Sequence, residues 1–315
     1  MRATDETLQV FSGTSNPELS KKICDHLGIC LGEVQIRRFS NENIFVQIGE
    51  NVREKDVFVV QTSAPPVNEA IMELLIMIDA LRSASASRIT AVVPYYPYAR
   101  SDKKDQPRVS ITARLIADLL RTAGADRVLT MTLHSPQIHG FFSIPVDHLV
   151  TVTPICDYFS KWDLANFVAV APDAGSAKRA GAYAERLKLP LAICDKRRIG
   201  NTGETEVVRV VGEVRGHEVI VFDDEVDTGG SLLETADAVL RVGAKAVFAS
   251  CAHAVLSGNA AQRIAESPVG ELVTTDTVPI RGEKMIDKIR IVSVAHLFAE
   301  AIKRIHTGES VSALF

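Results

Sequence analysis

Residues Glu218–Leu240 read EVIVFDDEVDTGGSLLETADAVL, and this stretch decides the fold. A continuous apolar run has the pattern of a strand buried on both faces. It runs into two acids, Asp223 and Asp224, and a tight turn through Gly229, Gly230 and Ser231 then opens a helix. Strand, polar turn and helix in that order make one βα unit. The amides of Asp227 to Ser231 can converge on an anion at the positive end of that helix. Yet Asp223, Asp224, Glu225 and Asp227 crowd negative charge beside the same turn, which would repel a bare phosphate. A sugar phosphate satisfies both halves. Asp223 and Asp224 can accept hydrogen bonds from ribose 2′ and 3′ hydroxyls, while the loop of Asp227, Thr228, Gly229, Gly230 and Ser231 holds the 5′-phosphate. An acidic turn with an ordinary helix N-cap is the alternative reading.

Outward from this unit the phrase repeats. DVFVVQT, RITAVVPYY, RVLTMTLH, NFVAVAPD, LPLAICD and AVFASCAH read as strands, and NEAIMELLIMIDALRSA and SITARLIADLLRTAG as helices between them. The alternation predicts an α/β protein with mainly parallel sheets flanked by helices. At 315 residues the chain has room for two such domains, and the Pro-containing VDHLVTVTPICDYF marks a joint between residues 1–150 and 151–315. Gly124–His134 and Gly243–His253 share a spacing of Gly-Ala, Val and His that suggests a duplicated fold. Helix, glycine cap and strand is also a common α/β phrase, so the echo has a second explanation.

The formal net charge of −4 gives non-specific nucleic-acid binding no support. The five cysteines are scattered and never spaced C-x-x-C, which argues for reduced thiols and against structural zinc. The start MRATDETLQVFSG lacks the pattern of a signal peptide, and no apolar stretch is long enough to span a bilayer, so a cytoplasmic protein is expected.

Further stretches narrow the reading. RRFSNENIFVQIGENVR, VVPYYPYARSDKKDQPRVSITARLIADLL, GADRVLTMTLHSPQIHGFFSIPVDHL, APDAGSAKRA, DKRR and the terminal GESVSALF accompany the Asp223–Ser231 string in order along the chain. Together they resemble the ribose-phosphate pyrophosphokinase family, also called phosphoribosyl-diphosphate synthetases, from about Val10 to Phe315. The resemblance implies two phosphoribosyltransferase-like domains, the first on the ATP side and the second on the ribose 5-phosphate side. It implies transfer of the β,γ-diphosphoryl group of ATP to the 1-hydroxyl of ribose 5-phosphate, giving phosphoribosyl diphosphate and AMP for nucleotide biosynthesis. It also implies a homo-oligomer, a hexamer in the family, because a hairpin from a neighbouring subunit completes the ATP site.

Carried over residue by residue, the resemblance assigns ATP to Phe39, Asn41, Glu42, Asn43, Arg100, Ser101 and His134. Phe39 can stack on adenine, and Arg100 can neutralise phosphate. His134 and Asp173 match a magnesium site, although imidazole is an unusual ligand for that hard ion, and His134 could contact phosphate or a metal-bound water instead. Lys196 and Arg198 match the catalytic K-x-R pair, with Arg198 also facing the sugar, and are expected beyond a strand at the start of a mobile lid. Taken without the resemblance, Phe39 reads as core, Arg100 and the Lys196–Arg198 run as solvated surface, and His134 as a hydrogen-bonded structural residue.

Thr132 and Ser143 stand where the family usually has Asp, Asn43 replaces a usual Glu, Ser101 a usual Gln, and Ser176 a usual Gly beside the diphosphate site, where the serine can still offer its amide. These departures keep two rivals open: a non-catalytic protein that regulates an active synthetase, and a phosphoribosyltransferase that consumes the diphosphate. The full loop and the K-x-R pair argue against the first, and the two-domain length against the second.

Overall fold

The computed structural model describes residues 7–198 and 205–314, and within strands it leaves the side chains of residues 196–198 and 205–208 aside. The chain divides into two compact units. Unit 1 comprises residues up to Val150, Thr277–Pro279 and everything from Ser293 onward, and unit 2 comprises Thr151–Asp276 and Ile280–Val292.

In unit 1 the strands are β1 (Leu8–Ser12), β2 (Val34–Arg38), β3 (Ile44–Ile48), β4 (Asp56–Val60), β5 (Arg88–Val93), β6 (Arg127–Met131) and β7 (Val146–Leu149). Its helices are α1 (Pro17–Leu27), α2 (Val67–Ser83), α3 (Thr112–Ala123) and, from the end of the chain, α8 (Ala295–Thr307). Strands β1-β4-β5-β6-β7 form one parallel sheet, and β2 and β3 pair as a separate antiparallel hairpin. Strand β4, DVFVV, is buried along its whole length because helices cover both faces. On one face Met77, Ile78 and Leu81 of α2 and Ile116 and Leu120 of α3 pack on β4 and β5. On the other, Leu19 and Ile23 of α1 meet Phe298, Ala301 and Ile302 of α8.

Unit 2 contains α4 (Val152–Phe159), β8 (Phe167–Ala171), α5 (Ala177–Leu187), β9 (Leu191–Arg198), β10 (Thr205–Val211), β11 (Glu218–Val226), α6 (Gly230–Arg241), β12 (Ala246–Ala254), α7 (Ala260–Glu266), β13 (Val269–Thr275) and β14 (Ile289–Val292). The sheet order is β10-β9-β8-β11-β12-β13-β14, parallel except for the β9–β10 pair. Phe159, Tyr183 and Phe222 fill one face, with the last two rings stacked at 4.5 Å, and Leu232, Val239 and Ile264 fill the other.

Two sequence expectations change here. The second domain was expected to run from 151 to 315, but Ser293–Phe315 belongs to unit 1. The apolar face of α8 finds its cover there, and Asp56 accepts from Arg88 Nε at 2.8 Å and lies 2.7 Å from His306 Nδ1 near the end of α8. The Gly124–His134 echo also falls out of register. Strand orders β1-β4-β5-β6-β7 and β8-β11-β12-β13-β14 match one for one, with an antiparallel pair, β2–β3 or β9–β10, following the first strand of each. This correspondence supports duplication but sets β6 against β13, whereas the echo sets it against β12. The shared letters are therefore the common phrase of helix, glycine cap and strand.

Candidate active site

The order of the second sheet reverses at β8: the chain moves from β8 to β9 on one side and then to β11 on the other. Loops at the carboxyl ends of β8 and β11 flank that switch point, where open α/β sheets bind ligands. The loop after β11 is the acid and glycine string. Gly229 takes φ 77°, a conformation that favours glycine, and caps α6 at its N-terminus. The carbonyl of Asp227 accepts the Ser257 amide at 2.9 Å, and that of Thr228 accepts Arg263 Nη1 at 2.9 Å. In a planar trans peptide the C=O and the next N–H point in opposite directions. With these carbonyls tied back, the amides of Thr228 and Gly229 face the other way and join the first turn of α6 in an anion cradle.

Beside the cradle, Asp223 and Asp224 lie within β11, which continues through the buried Glu225 and Val226. Arg179, in the first turn of α5, donates through Nη1 to Asp224 Oδ1 and lies 3.4 Å from Asp223 Oδ1. Burial, and next the adjacent Asp224 charge, push the Asp223 carboxyl well above the usual carboxylate range, with Arg179 acting in the opposite direction. Burial, then the two acids, push the neighbouring Cys251 thiol up to about 12 despite its hydrogen bond to Thr274, so it stays protonated. Hydroxyl donors or a cation would favour the ionised form of this pair.

After β8, Asp173 turns its carboxylate onto its own loop. Oδ1 accepts the Ser176 amide at 2.8 Å, and Ser176 Oγ donates to the Asp173 carbonyl at 2.9 Å. The Ser176 amide, expected to face a diphosphate, is therefore engaged by Asp173. Among the described residues no group of three or more His, Cys, Asp or Glu is arranged to hold a metal ion. Asp173 belongs to unit 2 and His134 to unit 1.

In unit 1 the hairpin brings Phe39, Asn41, Glu42 and Asn43 together at its tip. The Phe39 amide donates to the Asn43 carbonyl at 2.9 Å, and Glu42 turns at φ 67°. Val34, Ile36, Val46 and Ile48 pack inward, while Phe39 is 55% exposed, so the reading of Phe39 as core does not hold. Arg100 is exposed in the segment after β5, where Tyr98 turns at φ 53° and its carbonyl accepts the Ser101 amide at 2.9 Å. His134 is half-buried just beyond β6, the neighbour of β5.

The K-x-R pair was expected beyond a strand. Its backbone instead lies within β9, which runs through Arg198 and pairs Lys196 with Val207 and Arg198 with Thr205 of β10. The Lys196 and Arg198 side chains, and residues 199–204 of the expected lid, lie outside the described residues.

Two units of shared strand order, one with acids and an anion cradle at its switch point, define a phosphoribosyltransferase-like α/β protein. Comparisons make the class specific. A profile for the N-terminal domain of ribose phosphate pyrophosphokinase matches residues 8–124, and one for a phosphoribosyl synthetase-associated domain matches residues 198–315. The chain is 51% identical over 310 residues to the ribose-phosphate pyrophosphokinase of Caldanaerobacter subterraneus, covering 98% of each chain. It is 51% identical to that of Deinococcus radiodurans, covering 100% of each. The solved phosphoribosylpyrophosphate synthetase of Mycobacterium smegmatis superposes with TM-score 0.91 at 40% identity, over 96% of this chain and 100% of that one. The chain belongs to the ribose-phosphate pyrophosphokinase family, whose members are diphosphotransferases.

Proposed function

We propose that this protein transfers the β,γ-diphosphoryl group of ATP to the 1-hydroxyl of ribose 5-phosphate, yielding phosphoribosyl diphosphate and AMP. The observation that carries the reading is the pairing of Asp223 and Asp224 with the Gly229–Gly230 cradle in a chain of this family. The acids accept the ribose 2′ and 3′ hydroxyls; Asp227, Thr228, Gly229, Gly230 and Ser231 surround the 5′-phosphate. Phe39, Asn41, Glu42, Asn43, Arg100, Ser101 and His134 receive ATP. Lys196 and Arg198 neutralise charge on the diphosphoryl group as it moves, since phosphoryl transfer depends on positioning and electrostatics more than on covalent help.

Magnesium fits this donor set as an ion that arrives with the nucleotide. It prefers one or two carboxylates plus phosphate oxygens and waters, and Asp173, already oriented by Ser176, supplies a carboxylate of that kind. When bound, it would neutralise phosphate charge and hold the diphosphoryl oxygens. The exposed aromatic tip at Phe39 suits a site completed by a second copy, so a homo-oligomer, a hexamer by family likeness, is part of the proposal. So is a cytoplasmic setting, which suits five free cysteines and ATP as substrate; among the described residues no helix is long and apolar enough to cross a membrane. Purified protein with ATP, magnesium and ribose 5-phosphate should release AMP in step with phosphoribosyl diphosphate. ADP as the nucleotide product, or no sugar-dependent AMP, would refute the reading.

A further inference from the structure

Arg179 entered none of the readings made from sequence, and its surroundings give it a task. Its Nη1 reaches Asp224 Oδ1 and lies 3.4 Å from Asp223 Oδ1, which also accepts the Asp224 amide at 2.9 Å. Both carboxyl groups are therefore turned toward one guanidinium nitrogen. The Arg179 and Asp223 side chains are each 20% exposed and that of Asp224 is 5% exposed, so water screens the group weakly. Among the described residues one cation faces two adjacent acids, an arrangement in which both cannot ionise at low cost.

We propose that Arg179 is a positioning residue for the sugar, holding Asp223 and Asp224 as one oriented pair that gives up a single proton to solvent when the ribose hydroxyls bind. This rests on the reading of the Asp223–Ser231 loop as the ribose 5-phosphate site. The guanidinium holds Asp224 in place, and burial and the neighbouring acid favour the protonated form of Asp223 in the empty site. Among the described residues, Cys251 of β12 also faces the pair and stays protonated, and the buried Tyr183 hydroxyl feels both Arg179 and Cys251. Hydroxyl donors favour the charged carboxylate, so binding lowers the raised Asp223 value and expels the proton. The sign follows: sugar affinity rises with pH until the empty pair is fully ionised, then levels off. Removing Arg179 takes away the larger of the two influences that lower Asp223, the Asp224 amide being the other, so the levelling-off moves to higher pH.

Steady-state kinetics at saturating ATP and magnesium, across pH 6 to 9, test this with the full chain. Because the sugar's own phosphate titrates near pH 6, Asp223→Asn serves as the reference for substrate titration alone. Arg179→Met and Arg179→Gln should each raise the ribose 5-phosphate KM roughly tenfold or more at neutral pH, with a smaller change in kcat. The pH at which that KM levels off should move up in both, and Arg179→Lys should recover part of each effect. A pH profile unchanged in Arg179→Gln, or a loss confined to kcat, overturns the proposal even if Arg179→Met does not fold. If Asp223→Asn leaves the sugar KM unmoved, the loop reading fails and the proposal falls with it. If Asp223→Asn raises it while both Arg179 variants do not, only the role of Arg179 is refuted.

Discussion

Thr132 holds a backbone conformation that suits few residues of its kind: φ is 43°, the residue is buried, and its side chain is β-branched. The left-handed region costs roughly 1–2 kcal/mol for such residues, whereas Asn and Asp relieve part of it by local hydrogen bonding. Thr132→Asn should raise stability by about 1 kcal/mol, a shift of about 2–4 °C in thermal unfolding. An unchanged or lowered midpoint would show that the threonine's contacts outweigh the strain. Legibility at this scale followed locality. The strand, turn and helix around Asp223, Asp227 and Gly229 were readable because acids and glycines stand within one short string. Arg179 was not, because 44 residues separate it from Asp223 and only the β8–β11 pairing brings them together. Ser176 was misread for a similar reason: a letter shows that an amide exists, not that Asp173 already holds it.

Elements were readable where their period was strong. The helix expected over 68–84 is Val67–Ser83, and the one over 110–124 is Thr112–Ala123. The end of β9 was not, because Lys196–Arg198 has the composition of a solvated loop and is drawn into a strand by pairing with β10. A cation meeting charge mainly in the transition state should act on turnover, so Lys196→Ala should lower kcat about a hundredfold while both KM values move little. A variant that kept most of its turnover would remove Lys196 from the catalytic assignment. The β2–β3 hairpin separates its tip from its base: the apolar base packs on the unit 1 core, and Phe39 does not. Phe39→Ala should therefore raise the KM for ATP with the unfolding midpoint within about 1 °C of wild type, since isolated surface changes lie within ±0.5 kcal/mol. A lowered midpoint with unchanged ATP kinetics would make Phe39 a structural residue.

At the scale of the molecule, the α/β class and the repeated βα phrase were legible, and the return of α8 to unit 1 was not. Sequence order places Ser293–Phe315 after unit 2, while the contacts that hold it, Asp56 with Arg88 and His306, join residues up to 250 positions apart. Arg88 Nη2 also donates to the Ile305 carbonyl at 2.9 Å, so the cluster fastens the end of α8 to β4 and β5. Asp56→Asn should cost about 2 kcal/mol, the usual loss for hydrogen bonds to a charged group, and should increase hydrogen exchange in α8 before β11. Equal exchange in both would place the fastening elsewhere. The shared strand order gives unit 1 a counterpart of the proposed sugar site. The unit 1 counterpart, where β1 and β4 end, is filled from within: Glu73 Oε1 accepts the Thr14 amide at 2.6 Å, and Gln61 Oε1 accepts that of Ser15 at 3.2 Å. The central claim is thus that unit 2 receives the sugar through the acids and cradle after β11. Its most direct test is the pair of KM values for Asp223→Ala: the account predicts a rise of tenfold or so for ribose 5-phosphate, as for loss of a charged hydrogen-bond acceptor, with the ATP value within about twofold of wild type. A shift in the ATP value alone, or in neither, would contradict it.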